Sequence, residues 1–135
     1  MSDFQAAGAE VVAVSVDSKF SHKAWMDVPR NKGGIQGVVY PVIADLNKTM
    51  SRDYGVLLEG PGIALRGTFF IDGDGVVQAE AVNNTAIGRD VDDILRTLSA
   101  SQESKKGVVC PMNWKKGKEA INPKEAAKYF EKNAK

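Results

Sequence analysis

The chemistry open to this sequence is concentrated in very few side chains, because its 135 residues include one cysteine and one histidine. Cys110 lies in Gly107-Val108-Val109-Cys110-Pro111-Met112-Asn113-Trp114, with lysines on both sides. Nearby positive charge lowers a thiol's pKa and enlarges its reactive thiolate fraction, so Cys110 reads either as a reactive thiol or as an inert apolar side chain. The proline directly after it and the tryptophan four positions on favour a shaped loop. Arg66 enters an apolar run, where a guanidinium is costly unless it is paired or faces a cleft. One reading is a surface ion pair; the other is a cation that stabilises a thiolate or polarises a substrate oxygen.

Other chemistries are excluded or weak. A four-ligand zinc site cannot be built from Cys110 and His22, and no intramolecular disulfide is possible, so a stapled extracellular scaffold is excluded; no metal or cofactor is expected. Asp72-Gly73-Asp74-Gly75 lacks the later ligands of a calcium loop and reads as a hairpin turn. Glycines 33, 34 and 37 do not sit between a strand and a helix in the dinucleotide pattern. His22 and Trp25, one helical turn apart, read as packing. No Ser/His/acid set stands out.

Composition narrows the class further. With 43% hydrophobic and 26% charged residues and a net charge of +1, the chain has the profile of one globular domain. The charge is uneven: residues 1–104 carry nine Lys/Arg against fourteen Asp/Glu, and residues 105–135 nine Lys against three Glu. The basic tail has no arginine and no aromatic ladder, so nucleic acid is not an expected partner. No window approaches eighteen consecutive apolar residues and the start lacks a secretory layout, so neither a membrane span nor export is expected and cytoplasmic is the default location.

The elements that must position these residues follow from pattern. Phe4–Ala7 before Gly8 reads as a last helical turn. The β-branched run Val11–Val16 suits a parallel strand buried on both faces. Ser21 caps a helix through Trp25 and Met26 that stops near Pro29. A strand follows at Val38–Ala44, kept to an edge or started late by Pro41. A short helix spans Asn47–Tyr54. Arg66–Ile71 and Val76–Val82 form a hairpin. Val91, Ile94, Leu95 and Leu98 make Asp90–Ser101 an amphipathic helix with acids at its positive end. From Lys105 the chain is loop-like up to Pro123, and Lys124–Lys132 forms a terminal helix. The order is that of an α/β fold with a mixed sheet, and a thioredoxin-like arrangement is among the few compact solutions.

Specific blocks then carry a resemblance. Val14-Ser15-Val16-Asp17-Ser18-Lys19-Phe20-Ser21-His22-Lys23-Ala24-Trp25, Gly33-Gly34, Tyr40–Asp45, Ser51-Arg52-Asp53-Tyr54-Gly55-Val56, Gly62–Gly67, Gly88-Arg89, Val109-Cys110-Pro111 and Tyr129-Phe130 resemble, in order, a typical two-cysteine peroxiredoxin. The resemblance implies a three-layer thioredoxin-like fold, with a partial core over 1–104 and a resolving-cysteine arm over 105–135. It implies reduction of hydrogen peroxide and organic hydroperoxides through a cysteine sulfenic acid and an intersubunit disulfide, recycled by thioredoxin or a similar dithiol protein. Cys110 matches the resolving cysteine, and Arg66 the arginine that lowers the peroxidatic thiol's pKa and positions the peroxide. Gly33-Gly34 and Tyr129-Phe130 match the marks of over-oxidation sensitivity, although Ile35-Gln36 departs from the Gly-Gly-Leu-Gly pattern. A homodimer through the edge strand Val76–Val82, and rings of dimers, are implied as well.

The family's Pro-x-x-x-Thr-x-x-Cys segment is absent from these residues. The expectation is an N-terminally truncated member, inactive alone, whose strands on either side of a missing one are left with unpaired edges. The alternative reading is a non-catalytic subunit that associates with intact peroxiredoxins.

Overall fold

A computed structural model describes residues 1–134, so Lys135, the last residue of the arm, lies outside the described residues. The chain divides into two units, one of Met1–Thr68 with Ala81–Gly88, the other of Phe69–Glu80 with everything from Arg89 onward.

In the first unit, helix α1 (Ser2–Ala6) ends before Gly8, which takes φ +66°. Strand β1 (Ala13–Ser15) pairs in parallel with β2 (Val42–Ala44), Ala13 opposite Val42, across helix α2 (Lys19–Asp27). The cap of α2 is Ser18 rather than the expected Ser21. Ser18 has the extended backbone of a cap, and its hydroxyl accepts the Ser21 N–H at 3.1 Å, three residues on. The helix ends at Asp27, because Val28 precedes a proline and is driven to extended geometry. Strand β2 begins directly after Pro41, as the missing proline N–H requires, and the Pro41 carbonyl still accepts from Ala13 N–H at 2.9 Å.

Burial of β1 on both faces is not what the structure shows. Val12 and Val14 are 51% and 43% exposed. The sheet has two strands, so one edge of β1 has no neighbouring strand among the described residues, and its β-branched run has no second layer of the depth it encodes. Helix α3 (Thr49–Asp53) is capped from a distance. Buried Asp45 accepts from the Met50 N–H at 3.1 Å, the Ser51 N–H at 2.8 Å and the Ser51 hydroxyl at 2.7 Å. Burial alone would raise the Asp45 pKa, but these donors outweigh it and hold the carboxyl below its usual value. A two-residue hairpin, β3 (Leu57–Leu58) with β4 (Ile63–Ala64), was not expected. Its signal was the turn cluster Gly60-Pro61-Gly62.

Strands β5 (Arg66–Ile71) and β6 (Val77–Asn83) form the expected hairpin, β6 starting and ending one residue late. At its tip, Asp72 accepts from the Asp74 and Val76 N–H groups, both at 3.0 Å. In the second unit, helix α4 (Val91–Ser104) begins with Asp90 accepting from the Asp92 and Asp93 N–H groups, and runs three residues beyond expectation. Helix α5 (Ala126–Asn133) follows a 3-10 turn at Pro123–Glu125. The predicted loop between them contains an antiparallel bridge, Val109 with Ile121.

Buried apolar side chains are few among the described residues: Val56 in the first unit, Trp114 and Ile121 in the second. The strands are realised as three separate two-stranded ladders, the parallel β1–β2 pair and the β3–β4 and β5–β6 hairpins.

Candidate active site

Cys110 sits on a loop that is closed by its own backbone. Val109 and Ile121 exchange two hydrogen bonds, at 2.9 and 2.8 Å, and the Trp114 N–H turns back onto the Pro111 carbonyl at 3.0 Å. Trp114 is 4% exposed and donates its indole N–H to the Lys118 carbonyl at 2.9 Å, so the tryptophan fills the loop it belongs to. The turn needs a left-handed residue, supplied by Asn113 at φ +61°. The half-buried Cys110 thiol donates to the Ala100 carbonyl on α4 at 3.7 Å.

That setting corrects the expectation drawn from the flanking lysines. Burial pushes the Cys110 thiol up, Glu103 adds to the rise, and Arg96 alone opposes it. Lys106 is spent on Glu103 at 2.7 Å and Lys105 on Asp72 at 3.1 Å, so the cations adjacent in sequence serve carboxylates instead of the thiol. Burial and Glu103 thus hold the Cys110 thiol above its usual pKa, the opposite of the shift that the flanking lysines suggested.

Arg66 opens β5 and is exposed. Its Nε–H donates to the Thr85 carbonyl at 3.1 Å, and no carboxylate pairs with it among the described residues, so it is not the surface ion pair that was one reading. The guanidinium is held by its Nε, leaving the fork end directed elsewhere than at a carboxylate. Gly33 and Gly34 lie in a loop strapped to the end of α2. The Trp25 indole donates to the Gly33 carbonyl at 2.8 Å, the Ile35 N–H to the Trp25 carbonyl at 3.2 Å, and the Gln36 N–H to the Val28 carbonyl at 3.2 Å. Gly33 takes φ +82°, and a Cβ at Gly34 would overlap the Val28 carbonyl, so each glycine is required for a different reason.

Tyr129 and Phe130 lie on α5 with rings edge to face, 5.7 Å apart, and Phe130 is 58% exposed. Lys132 on the same helix pairs with Glu119 at 2.7 Å. Arg66 and the glycine pair belong to the first unit; Cys110, Tyr129 and Phe130 belong to the second. Sequence reasoning missed Trp25 as the strap of the glycine loop and Asp72 as the anchor of Lys105. His22 is packed, as expected, with both ring nitrogens unpartnered among the described residues. Among those residues no group of three His, Cys, Asp or Glu could hold a metal, and no helix is long and apolar enough to cross a membrane.

Residues 1–80 match the family model described as the AhpC/TSA family, and residues 102–132 match the C-terminal domain of 1-Cys peroxiredoxin. The chain is 49% identical over 134 residues to the mitochondrial thioredoxin-dependent peroxide reductase of Bos taurus, and 46% identical over 131 residues to the chloroplastic 2-Cys peroxiredoxin BAS1 of Hordeum vulgare. Those alignments take in 97% and 95% of this chain but 52% and 62% of the relatives, so the chain spans somewhat over half the length of the proteins it resembles. The crystal structure of reduced Plasmodium vivax 2-Cys peroxiredoxin superposes with a TM-score of 0.91 at 43% identity, covering 96% of this chain and 68% of that one. The thioredoxin-like fold is thereby shown, and the chain belongs to the AhpC/TSA family, as a peroxiredoxin of the two-cysteine kind.

Proposed function

We propose that this chain contributes the resolving half of a thiol peroxidase acting on hydrogen peroxide and organic hydroperoxides. The observation that carries the reading is the closed loop that holds the single, half-buried cysteine, Cys110, against the Ala100 carbonyl of α4. A peroxidatic thiolate outside these 135 residues attacks the peroxide O–O bond, becomes a sulfenic acid and releases water or an alcohol. The Cys110 sulfur then attacks that sulfenic sulfur, a disulfide forms, and the hydroxyl leaves as water with the Cys110 proton. A dithiol protein of the thioredoxin class returns both sulfurs to thiols by exchange. The similarity to a thioredoxin-dependent peroxide reductase supports this peroxide-reducing reading over a non-catalytic subunit.

In this reading Arg66 presents its guanidinium to the peroxidatic thiolate and the peroxide. Gly33-Gly34 and Tyr129-Phe130 set sensitivity to over-oxidation. Residues 1–104 form the core and 105–135 the arm. The edge at Val76–Val82 forms a homodimer, and dimers close into rings. With Cys110 as its single cysteine, the chain does not turn over peroxide alone. The cytoplasm is its compartment in this reading, although the relatives include mitochondrial and chloroplastic forms.

The test is peroxide consumption coupled to thioredoxin, thioredoxin reductase and NADPH. The chain alone should consume nothing above background. Added to an intact two-cysteine peroxiredoxin whose own resolving cysteine is serine, it should restore thioredoxin-linked turnover, and its Cys110→Ser form should not. Turnover by the chain alone, or equal restoration by Cys110→Ser, would overturn the reading.

A further inference from the structure

The most exposed sulfur-bearing residue among the described residues carries a thioether. Met112 is 91% exposed, two residues after Cys110, whereas Met1 is 38% exposed and Met26 and Met50 are partly buried within α2 and α3. The exposure is built into the loop and is no accident of a frayed end. Met112 lies between the Pro111 carbonyl, which accepts the Trp114 N–H, and Asn113, whose left-handed φ turns the chain. The side chain that packs inward at this turn is Trp114. Met112 contributes no burial, although a large apolar side chain at a loop tip gains nothing from water.

Oxidation of methionine follows access of the oxidant to sulfur, because the thioether needs no deprotonation. We propose that Met112 is a peroxide-oxidised modification site on the Cys110 loop, converted to the sulfoxide ahead of the other methionines and without loss of the fold. The sulfur lone pair attacks one peroxide oxygen and the O–O bond breaks. An S=O bond forms, and the second oxygen leaves as water with both protons. Sulfur is oxidised by two electrons and the peroxide reduced by two. The product is tolerated because the new oxygen is solvated where it forms; at Met26 or Met50 it would enter partly buried helix faces. Its effect is local: the apolar group flanking Cys110 becomes polar and stereogenic, altering the surface that any protein approaching this thiol meets. The proposal rests on exposure and thioether chemistry and does not depend on the peroxidase reading.

The experiment is graded hydrogen peroxide on the full chain, quenched with catalase, followed by peptide mass spectrometry of all four methionines, native and in urea. In the native chain the Met112 sulfoxide should form roughly threefold or more faster than that of Met26 or Met50. In urea the rates should converge. Far-ultraviolet circular dichroism should be unchanged at full Met112 conversion, and a mixture of the two stereospecific methionine sulfoxide reductases should reverse it. Met112→Leu should remove the fast phase and leave the slow ones. Native rates equal within error, any of Met1, Met26 or Met50 leading, or loss of helical signal on Met112 conversion would overturn the proposal.

Discussion

Replacing Trp114 by alanine tests whether the Cys110 loop is held by its own small core. The indole is 4% exposed, and burying an aromatic of this size removes about 150–250 Å² from water. At about 25 cal/mol/Å² that is roughly 4–6 kcal/mol, an upper bound that agrees with the 3–5 kcal/mol or so typical of such truncations. A loss near 3 kcal/mol lowers amide protection by about two powers of ten, and it is a large share of what holds a small domain together. Hydrogen exchange of the Val109 and Ile121 amides, which make the bridge at 2.9 and 2.8 Å, should report it directly. The Cys110 thiol should report it as well. Its pKa is raised chiefly by burial, so opening the loop lowers the pKa and speeds reaction with a disulfide reagent near pH 8. Trp114→Phe keeps most of the burial and loses the indole bond to the Lys118 carbonyl, a cost of about 1 kcal/mol. Unchanged exchange at Val109 and Ile121 in Trp114→Ala, with unchanged thiol reactivity, would refute the reasoning.

The two glycines of the strapped loop should separate in a urea titration: Gly33→Ala meets no atom and costs about 1–2 kcal/mol for its left-handed φ, whereas Gly34→Ala must displace the Val28 backbone and should cost about 2–3 kcal/mol or more. Asp72 is held below the usual carboxylate range first by the Val76 N–H and then by Lys105. Its stabilisation is present above the unfolded carboxylate pKa of about 3.9 and is lost as pH falls through the lower folded value, so Asp72→Asn should flatten the acid limb of the stability profile below about pH 4. Cys110 carries the opposite sign. Its contribution is complete below the unfolded thiol pKa of about 8.5 and is lost as pH rises through the raised folded value, so alkaline unfolding should shift to higher pH in Cys110→Ala. Ser18→Ala should cost about 1 kcal/mol, and Ser21→Ala clearly less, in thermal melts that follow α2.

Elements with a local cause were legible in the sequence. The Asp72–Gly75 turn, the acidic start of α4 and the stop at Pro29 each follow from one or two residues whose backbone preferences act at short range. Legibility failed where the cause is a partner distant in the chain. Burial of β1 depends on layers that its valines cannot specify, and the cap of α3 comes from Asp45, which sits in a different element. The Cys110 environment failed for the same reason. Lysines adjacent in sequence suggested a lowered thiol pKa, yet Asp72 lies 33 residues from the Lys105 it captures, and Glu103, one helical turn from Lys106, takes the other charge. The motifs located Cys110 and Arg66, while the strapping by Trp25 and the closure by Trp114 needed coordinates.

The most direct test of Cys110 as a resolving thiol is a peroxide-dependent cross-link. The chain is mixed with an intact two-cysteine peroxiredoxin whose own resolving cysteine is serine, treated with one equivalent of hydrogen peroxide, and digested without reduction. A disulfide-linked peptide pair joining Cys110 to the partner's peroxidatic cysteine should appear, released by thioredoxin and absent with Cys110→Ser. A sulfenic acid that persists on the intact protein, trapped by dimedone while Cys110 stays a free thiol, would contradict it.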